Sequence, residues 1–183
     1  MALATAMPPA AAQFLLVLTW AAPLLALVAL AVPRWRRLGH AWAPLAAAPA
    51  LLTALAVAEG TTLELPWLLN GVSLAMEPVG RVFLLLAALL WGAAAGFSRG
   101  YLATDARRDR FLAFFLAAMA GNFGLTLAQD PVGFLAFFTL MGLPAYGLVI
   151  HNGRPADRRA ANVYLGAAIT GETLTLAGLL LAL

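Results

Sequence analysis

Six times in 183 residues the chain runs apolar for about the twenty residues that a helix needs to cross a bilayer core roughly 30 Å thick. The windows cover residues 13–32, 41–58, 80–98, 111–128, 131–150 and 162–183. In hydrocarbon a backbone must satisfy its own N–H and C=O groups, and segments of this length do so as helices. The expectation is an all-α, polytopic membrane helix bundle forming one domain over residues 1–183. Composition agrees, since 63% hydrophobic residues, 10% charged residues and a mean hydropathy of +0.91 lie outside the range of soluble domains. The second window is the weakest, with Pro44 and Pro49 inside it. No positive charge precedes the first apolar run in "MALATAMPP", so that run reads as a retained span and not as a cleaved signal.

The loops carry an orientation signal. Lysine is absent, and ten of the eleven arginines fall in "PRWRRLGH" (33–40), "RGYLATDARRDR" (99–110) and "HNGRPADRRAA" (151–161). The segment 59–79 instead holds Glu59, Glu64 and Glu77, and the turn at "QDP" (129–131) holds Asp130. Arginine favours the cytoplasmic side, so the N-terminus and the C-terminus are both expected outside. Divided among short loops, the arginines form no basic face, and no nucleic-acid partner is expected. Within "TTLELPWLLNGVSLAMEPVG" (61–80), the Asn70–Gly71 pair between β-prone runs predicts a short outer β-hairpin. Trp35, Trp42, Trp67 and Trp91 are expected near span ends, as interfacial anchors.

Little else in the chain carries chemistry. Cysteine is absent, and the two histidines, His40 and His151, stand beside basic loops without ligand spacing, so neither a disulfide nor a metal site is expected. There is no phosphate-binding glycine loop, Ser/His/Asp set or acid pair, hence no independent active site. Attention falls on polar residues inside spans. Glu172, in "AAITGETLTLAGLLLAL" (167–183), is the lone ionisable group well within a window, where a charge costs about 2.5–3.5 kcal/mol on insertion scales. Thr170, Thr173 and Thr175 flank it with hydroxyls. Asn122 and Thr126, four apart, share a helix face and either line a hydrated path or bond to a neighbouring helix. Thr19 and Thr53 are expected to bond local carbonyls. Gly92, Gly96, Gly121, Gly124, Gly142 and Gly147 read as packing surfaces, with Gly92–Gly96 in small-xxx-small spacing. Arg81 has Glu77 as an expected partner, and Asp105 and Asp109 are expected to balance Arg107, Arg108 and Arg110.

Taken together, "LPWLLNGVSLAMEPVGRVFLLLAALLWGAAAGFSRGYL" (65–102) and "RFLAFFLAAMAGNFGLTLAQDPVGFLAFFTLMGLPAYGLVIH" (110–151) resemble the N-terminal third of the antiporter-like membrane subunits. That family serves complex I, Mrp antiporters, membrane-bound hydrogenases and inorganic-carbon-uptake assemblies. The order of features carries the resemblance: an outer hairpin before the third span, an Arg/Tyr-containing loop after it, and an Asp closing the turn before the fifth. It implies a subunit of a proton- or sodium-translocating complex in a bacterial or archaeal cytoplasmic (inner) membrane, with other integral membrane subunits as partners. No cofactor is expected on this chain; iron–sulfur clusters, flavin, nickel–iron or quinone would belong to partner subunits.

One departure stands out. The fifth span of that family reads like Trp-Glu followed by Ser-Leu and Ser-Tyr, and its glutamate pairs with a lysine two helices later. In the matching stretch "FTLMGLPAY" (138–146), Phe138 stands at the tryptophan position and Thr139 at the glutamate position. A threonine hydroxyl hydrogen-bonds but does not take up and release a proton. Family subunits have about fourteen spans built from two inverted five-helix repeats, whereas this chain reaches only the opening helices. It is therefore expected to be either a piece of a longer product or a shortened subunit. Two readings of Glu172 follow: a proton relay in the space of the missing glutamate, or a structural contact by which a non-conducting scaffold holds its partners.

Overall fold

The computed structural model describes residues 7–68 and 71–182. Its helices are α1 (Pro9–Ala31), α2 (Arg36–Trp42), α3 (Ala48–Ala56), α4 (Pro78–Tyr101), α5 (Arg108–Leu125), α6 (Pro131–Val149) and α7 (Pro155–Ala182). Two short strands, β1 (Thr62–Leu65) and β2 (Val72–Ala75), lie between α3 and α4. Each apolar window is thus built mainly of helix. Among the described residues, five helical stretches are long and apolar enough to cross a membrane: Pro9–Ala31, Arg36–Ala56, Pro78–Tyr101, Pro131–Val149 and Pro155–Leu181.

The fourth window, α5, has a different character. Its 18 residues extend about 27 Å, and its first turn carries Arg108, Asp109 and Arg110. It is apolar all round and encloses Leu112, Phe115, Leu116, Met119 and Phe123 between α1 and α6, the pattern of a core helix. The six expected spans are therefore five helices of spanning length and composition and one buried helix, α5, held between α1 and α6.

The second window is not one regular helix. Pro44 opens a 3-10 turn at Ala43–Leu45 and Pro49 lies in the first turn of α3, so the helix breaks where prolines remove N–H donors. The stretch also begins earlier than residue 41, because Arg36, Arg37 and His40 are helical. Small side chains let this broken segment lie close to α1. Thr19 Oγ1, fully buried, is 2.8 Å from Leu15 O and 2.8 Å from Thr53 Oγ1. Thr19 donates within its own helix while Thr53 donates across, so only the first of the two expected local bonds is local.

β1 and β2 pair antiparallel in the register Thr62↔Ala75, Leu63↔Leu74, Glu64↔Ser73 and Leu65↔Val72. Residues 66–71 connect them; Gly71 has φ 110°, and Asn70 of the expected turn lies outside the described residues. The hairpin is bonded into the bundle at one end. Ala75 N donates to Leu127 O, Gln129 N to Ser73 O, and Gln13 Nε2 to Thr62 O. Val72, Leu74 and Met76 are fully buried there. Arg81 is held at the same end, its guanidinium donating to Ala54 O and Val57 O at the C-terminus of α3 and pairing with Glu59 at 3.2 Å. The expected Glu77 partner is displaced because α3 presents unpaired terminal carbonyls that a guanidinium fork satisfies better.

The opposite end gathers the loops 32–36, 102–107 and 150–155. Asp109 pairs with Arg36 (3.4 Å) and His40 (2.8 Å), and Asp105 with His151 (2.7 Å). Asp109 therefore ties α5 to α2 and Asp105 ties two loops together; they do not simply balance neighbouring arginines. Across the bundle, Val82, Phe83, Leu86 and Leu90 on α4 and Ile169, Leu174, Leu180 and Leu181 on α7 are exposed. Faces this apolar suit hydrocarbon or a further helix, consistent with a multi-pass membrane protein.

Candidate functional site

α7 begins after a left-handed Gly153 (φ 72°), with Pro155 at its first position, and lies along α6. Two side-chain hydrogen bonds cross that pairing. Tyr164 donates its hydroxyl to Gly142 O at 2.9 Å, and farther along α7 Glu172 meets Thr139. The Thr139 hydroxyl donates to Glu172 Oε2 at 3.2 Å. Thr139 and Gly142, three apart, share one face of α6. Gly142 supplies the room: a Cβ there would stand 3.1 Å from Glu172 Oε1.

The electrostatics are incomplete. Glu172 Oε1 is buried and has no hydrogen-bond partner among the described residues. No cation offsets it either, since the ion pairs among those residues join Arg36 and His40 to Asp109, Arg81 to Glu59, and His151 to Asp105. A carboxylate oxygen in this position needs a proton, a water or a donor from another chain, because an unpaired buried charge is costly. Glu172 thus places a carboxyl beside the Thr139 hydroxyl at the α6–α7 contact.

The two sides of this pair differ in polarity. Between the hairpin-end halves of α6 and α7 runs a cleft of about 400 Å³ lined by Pro131, Val132, Leu135, Ala136, Thr139, Leu176, Leu179 and Leu180. Its walls offer water almost no partners. Toward the arginine-rich end stand instead the Tyr164 hydroxyl, Tyr146 and Asn162, the last two in a cleft with Arg107, Arg110 and Arg158.

The remaining candidates lie elsewhere. Asn122 accepts from Trp91 Nε1 at 3.0 Å and directs its Nδ2 to Met141 Sδ at 3.1 Å, linking α4, α5 and α6. Trp91 is accordingly mid-helix and packed edge-on against Phe115, not at a span end. Thr126 donates to Phe123 O, and together with Asn122 borders a cleft facing Glu77, Gly80 and Phe83. Thr170, Thr173 and Thr175 each donate to the carbonyl four residues earlier, and the first two are exposed. The structure joins Glu172 to Thr139 and leaves Asn122, Thr126, Thr170 and Thr173 outside that contact.

At the arginine-rich end, Asp105 titrates below the usual carboxylate range. A hydrogen bond with the His151 side chain is the main cause, followed by one from the Arg107 backbone N–H. His151 is 7% exposed and packs edge-on against Phe111. Sequence spacing gave no sign of this pair, as 46 residues separate its members.

No protein-family model matches the sequence, and no curated protein matches it. The decisive likeness is one of shape. The fold is shared with a chain of an archaeal respiratory membrane complex. That chain comes from the structure of the membrane-bound sulfane sulfur reductase, and it matches with a TM-score of 0.69 and 18% sequence identity. The match covers 91% of this chain and 36% of the other, so this chain spans little more than a third of its counterpart's length. At that identity the likeness establishes fold. The coarse part of the sequence resemblance, a fold like that of a chain in a respiratory membrane complex, is met.

Proposed function

We propose that the chain is a membrane subunit of a multisubunit proton- or sodium-translocating complex related to complex I, Mrp antiporters or membrane-bound hydrogenases, and that Glu172 relays protons within it. One observation carries the reading: a carboxylate hydrogen-bonded to Thr139 across α6–α7, with its second oxygen buried and unpartnered. A group that stays in a membrane helix despite the cost of its charge is by default functional. Tyr164, whose hydroxyl donates to Gly142 O and can still accept, stands on α7 on the arginine-rich side of Glu172. Tyr146 and Asn162 lie in the cleft at that end, and the cleft on the other side is apolar, which favours proton access from the arginine-rich side. By the preference of arginine for the cytoplasm, that side is the cytoplasmic face of a bacterial or archaeal inner membrane, with the hairpin and both termini outside. Redox cofactors, where the complex uses them, belong to partner subunits.

The neighbour's place in a respiratory membrane complex supports the assignment to a multisubunit assembly. A second reading, a non-conducting scaffold, is favoured by a different observation. Thr126, Thr170, Thr173 and Thr175 all donate their hydroxyl protons to carbonyls of their own helix, so they offer none to a water file beside Glu172. The test is Glu172→Gln in the complete complex reconstituted into vesicles. The relay predicts proton uptake slowed on the order of 10²-fold, the lower end for loss of a positioned proton carrier, with assembly intact. Unchanged coupling in a normally assembled complex assigns the scaffold role instead.

A further inference from the structure

The relay reading of Glu172 draws on Tyr146 and Asn162 in the cleft at the arginine-rich end, and neither reading uses the arginines that line it. Arg107, Arg110, Tyr146, Ile150, Gly153, Arg158 and Asn162 line a space of about 390 Å³ where α5, α6 and α7 meet. Three guanidinium groups converge on it and no carboxylate does. The nearby acids are engaged elsewhere: Asp105 with His151, Asp109 with Arg36 and His40, and Asp157 with the Arg154 N–H. Arg107 Nη1 donates to His151 O at 3.1 Å and Arg110 Nη2 to the same carbonyl at 2.8 Å, which fixes both guanidinium groups in place. Each guanidinium has five donors, so most remain free. Among the described residues, Arg158, Tyr146 and Asn162 make no side-chain hydrogen bonds. Gly153 adds space at the rim, where a Cβ would stand 3.1 Å from Arg107 Nη1.

We propose that this cleft binds the phosphodiester headgroup of an anionic phospholipid. The shared chemistry is that of a phosphate anion, for which planar arginine forks are well suited. A lipid is favoured over a soluble phosphate because of what surrounds the charges. The cleft sits where the apolar helices end, Ile150 forms part of its wall, and Val149 and Val163 are exposed one residue from the lining positions Ile150 and Asn162. A headgroup seated among the arginines therefore has apolar surface beside it for its acyl chains. Basic pockets between membrane helices on the cytoplasmic side have this character. The inference rests on the chain spanning a membrane and is independent of proton transfer at Glu172.

The test is made on the purified full chain in detergent, titrated with phosphatidylglycerol or phosphatidylcholine, with bound lipid read by native mass spectrometry. Phosphatidylglycerol is expected to be retained over phosphatidylcholine. Arg158→Gln, which removes no bond within the protein, is expected to weaken retention about fivefold, the effect of about 1 kcal/mol per arginine near a headgroup. Arg107→Gln serves as a second variant, and Arg159→Gln, at the same end but outside the lining, is expected to leave retention unchanged. Three results overturn the proposal: equal retention of the two lipids, the same loss in Arg159→Gln as in Arg158→Gln, or displacement of phosphatidylglycerol by millimolar inorganic phosphate. The last would make the cleft a soluble-anion site.

Discussion

Asp130 holds two elements through one carboxylate. Its Oδ1 accepts from Gly133 N at 2.7 Å, capping α6, while Oδ2 accepts from Ser73 N at 2.8 Å, fastening β2 to the same turn. An N-cap contributes about 1 kcal/mol and a hydrogen bond to a charged group about 1.5–3. Asp130→Ala is therefore expected to cost about 2–3 kcal/mol in thermal unfolding in detergent micelles, and Asp130→Asn distinctly less, since an amide oxygen still accepts. At the other end, the lowered titration of Asp105 fixes the sign of a pH effect. A depressed carboxyl contributes stability that is fully present above the unfolded value, about 3.9, and is lost as pH falls through the lower native value. The stability difference between the native protein and Asp105→Asn should thus be present at about pH 5 and shrink as the pH falls below about 4. Hydrogen exchange across residues 102–107 would follow it. At this scale Glu172 was legible from sequence as a lone charge, and Thr139 as a departure from the resembled motif. Gly142 was not legible as the space beside Glu172, because which glycine faces a carboxyl depends on how two helices pair.

Helix pairing is decided by close approach more than by any polar contact. At Gly121 on α5 a Cβ would overlap the backbone of Leu140 and Met141 on α6, whereas at Gly96 it would meet nothing. The small-xxx-small pair Gly92–Gly96 therefore does not mark a tight interface, and Gly121 does. Without a hydrophobic drive between helices, such backbone proximity supplies much of the association. Gly121→Ala is expected to push α5 and α6 apart at a cost of about 1–3 kcal/mol, typical of overpacking, read as a lower unfolding midpoint. Gly96→Ala should be near neutral. The number and order of the helices and the hairpin were readable from hydropathy and turn residues. Their limits were not, since an apolar window stops at the first charges while the backbone continues through them. α7 starts at Pro155, inside the arginine-rich loop, and the second span starts at Arg36. Hydropathy locates what suits the bilayer core; the end of a helix is set by caps, prolines and loop contacts.

For the molecule as a whole, the arrangement of charge is simple. Arginines, both histidines, Asp105 and Asp109 lie at one end, the hairpin with Arg81 and Asp130 at the other, and Glu172 stands between them on a helix that packs chiefly on α6. Exposed apolar faces on α4 and α7 leave room for lipid or for further membrane subunits. The proposed role of Glu172 requires a carboxyl at the α6–α7 contact, on whichever of the two helices it stands. The most direct test relocates it. In the reconstituted complex, Glu172→Gln should slow proton uptake, and adding Thr139→Glu to that variant should restore a substantial part of the rate, because the carboxyl returns to the same contact from the opposite helix. If the double variant assembles normally yet takes up protons no faster than Glu172→Gln alone, or if Glu172→Gln itself leaves uptake unchanged, the account is contradicted.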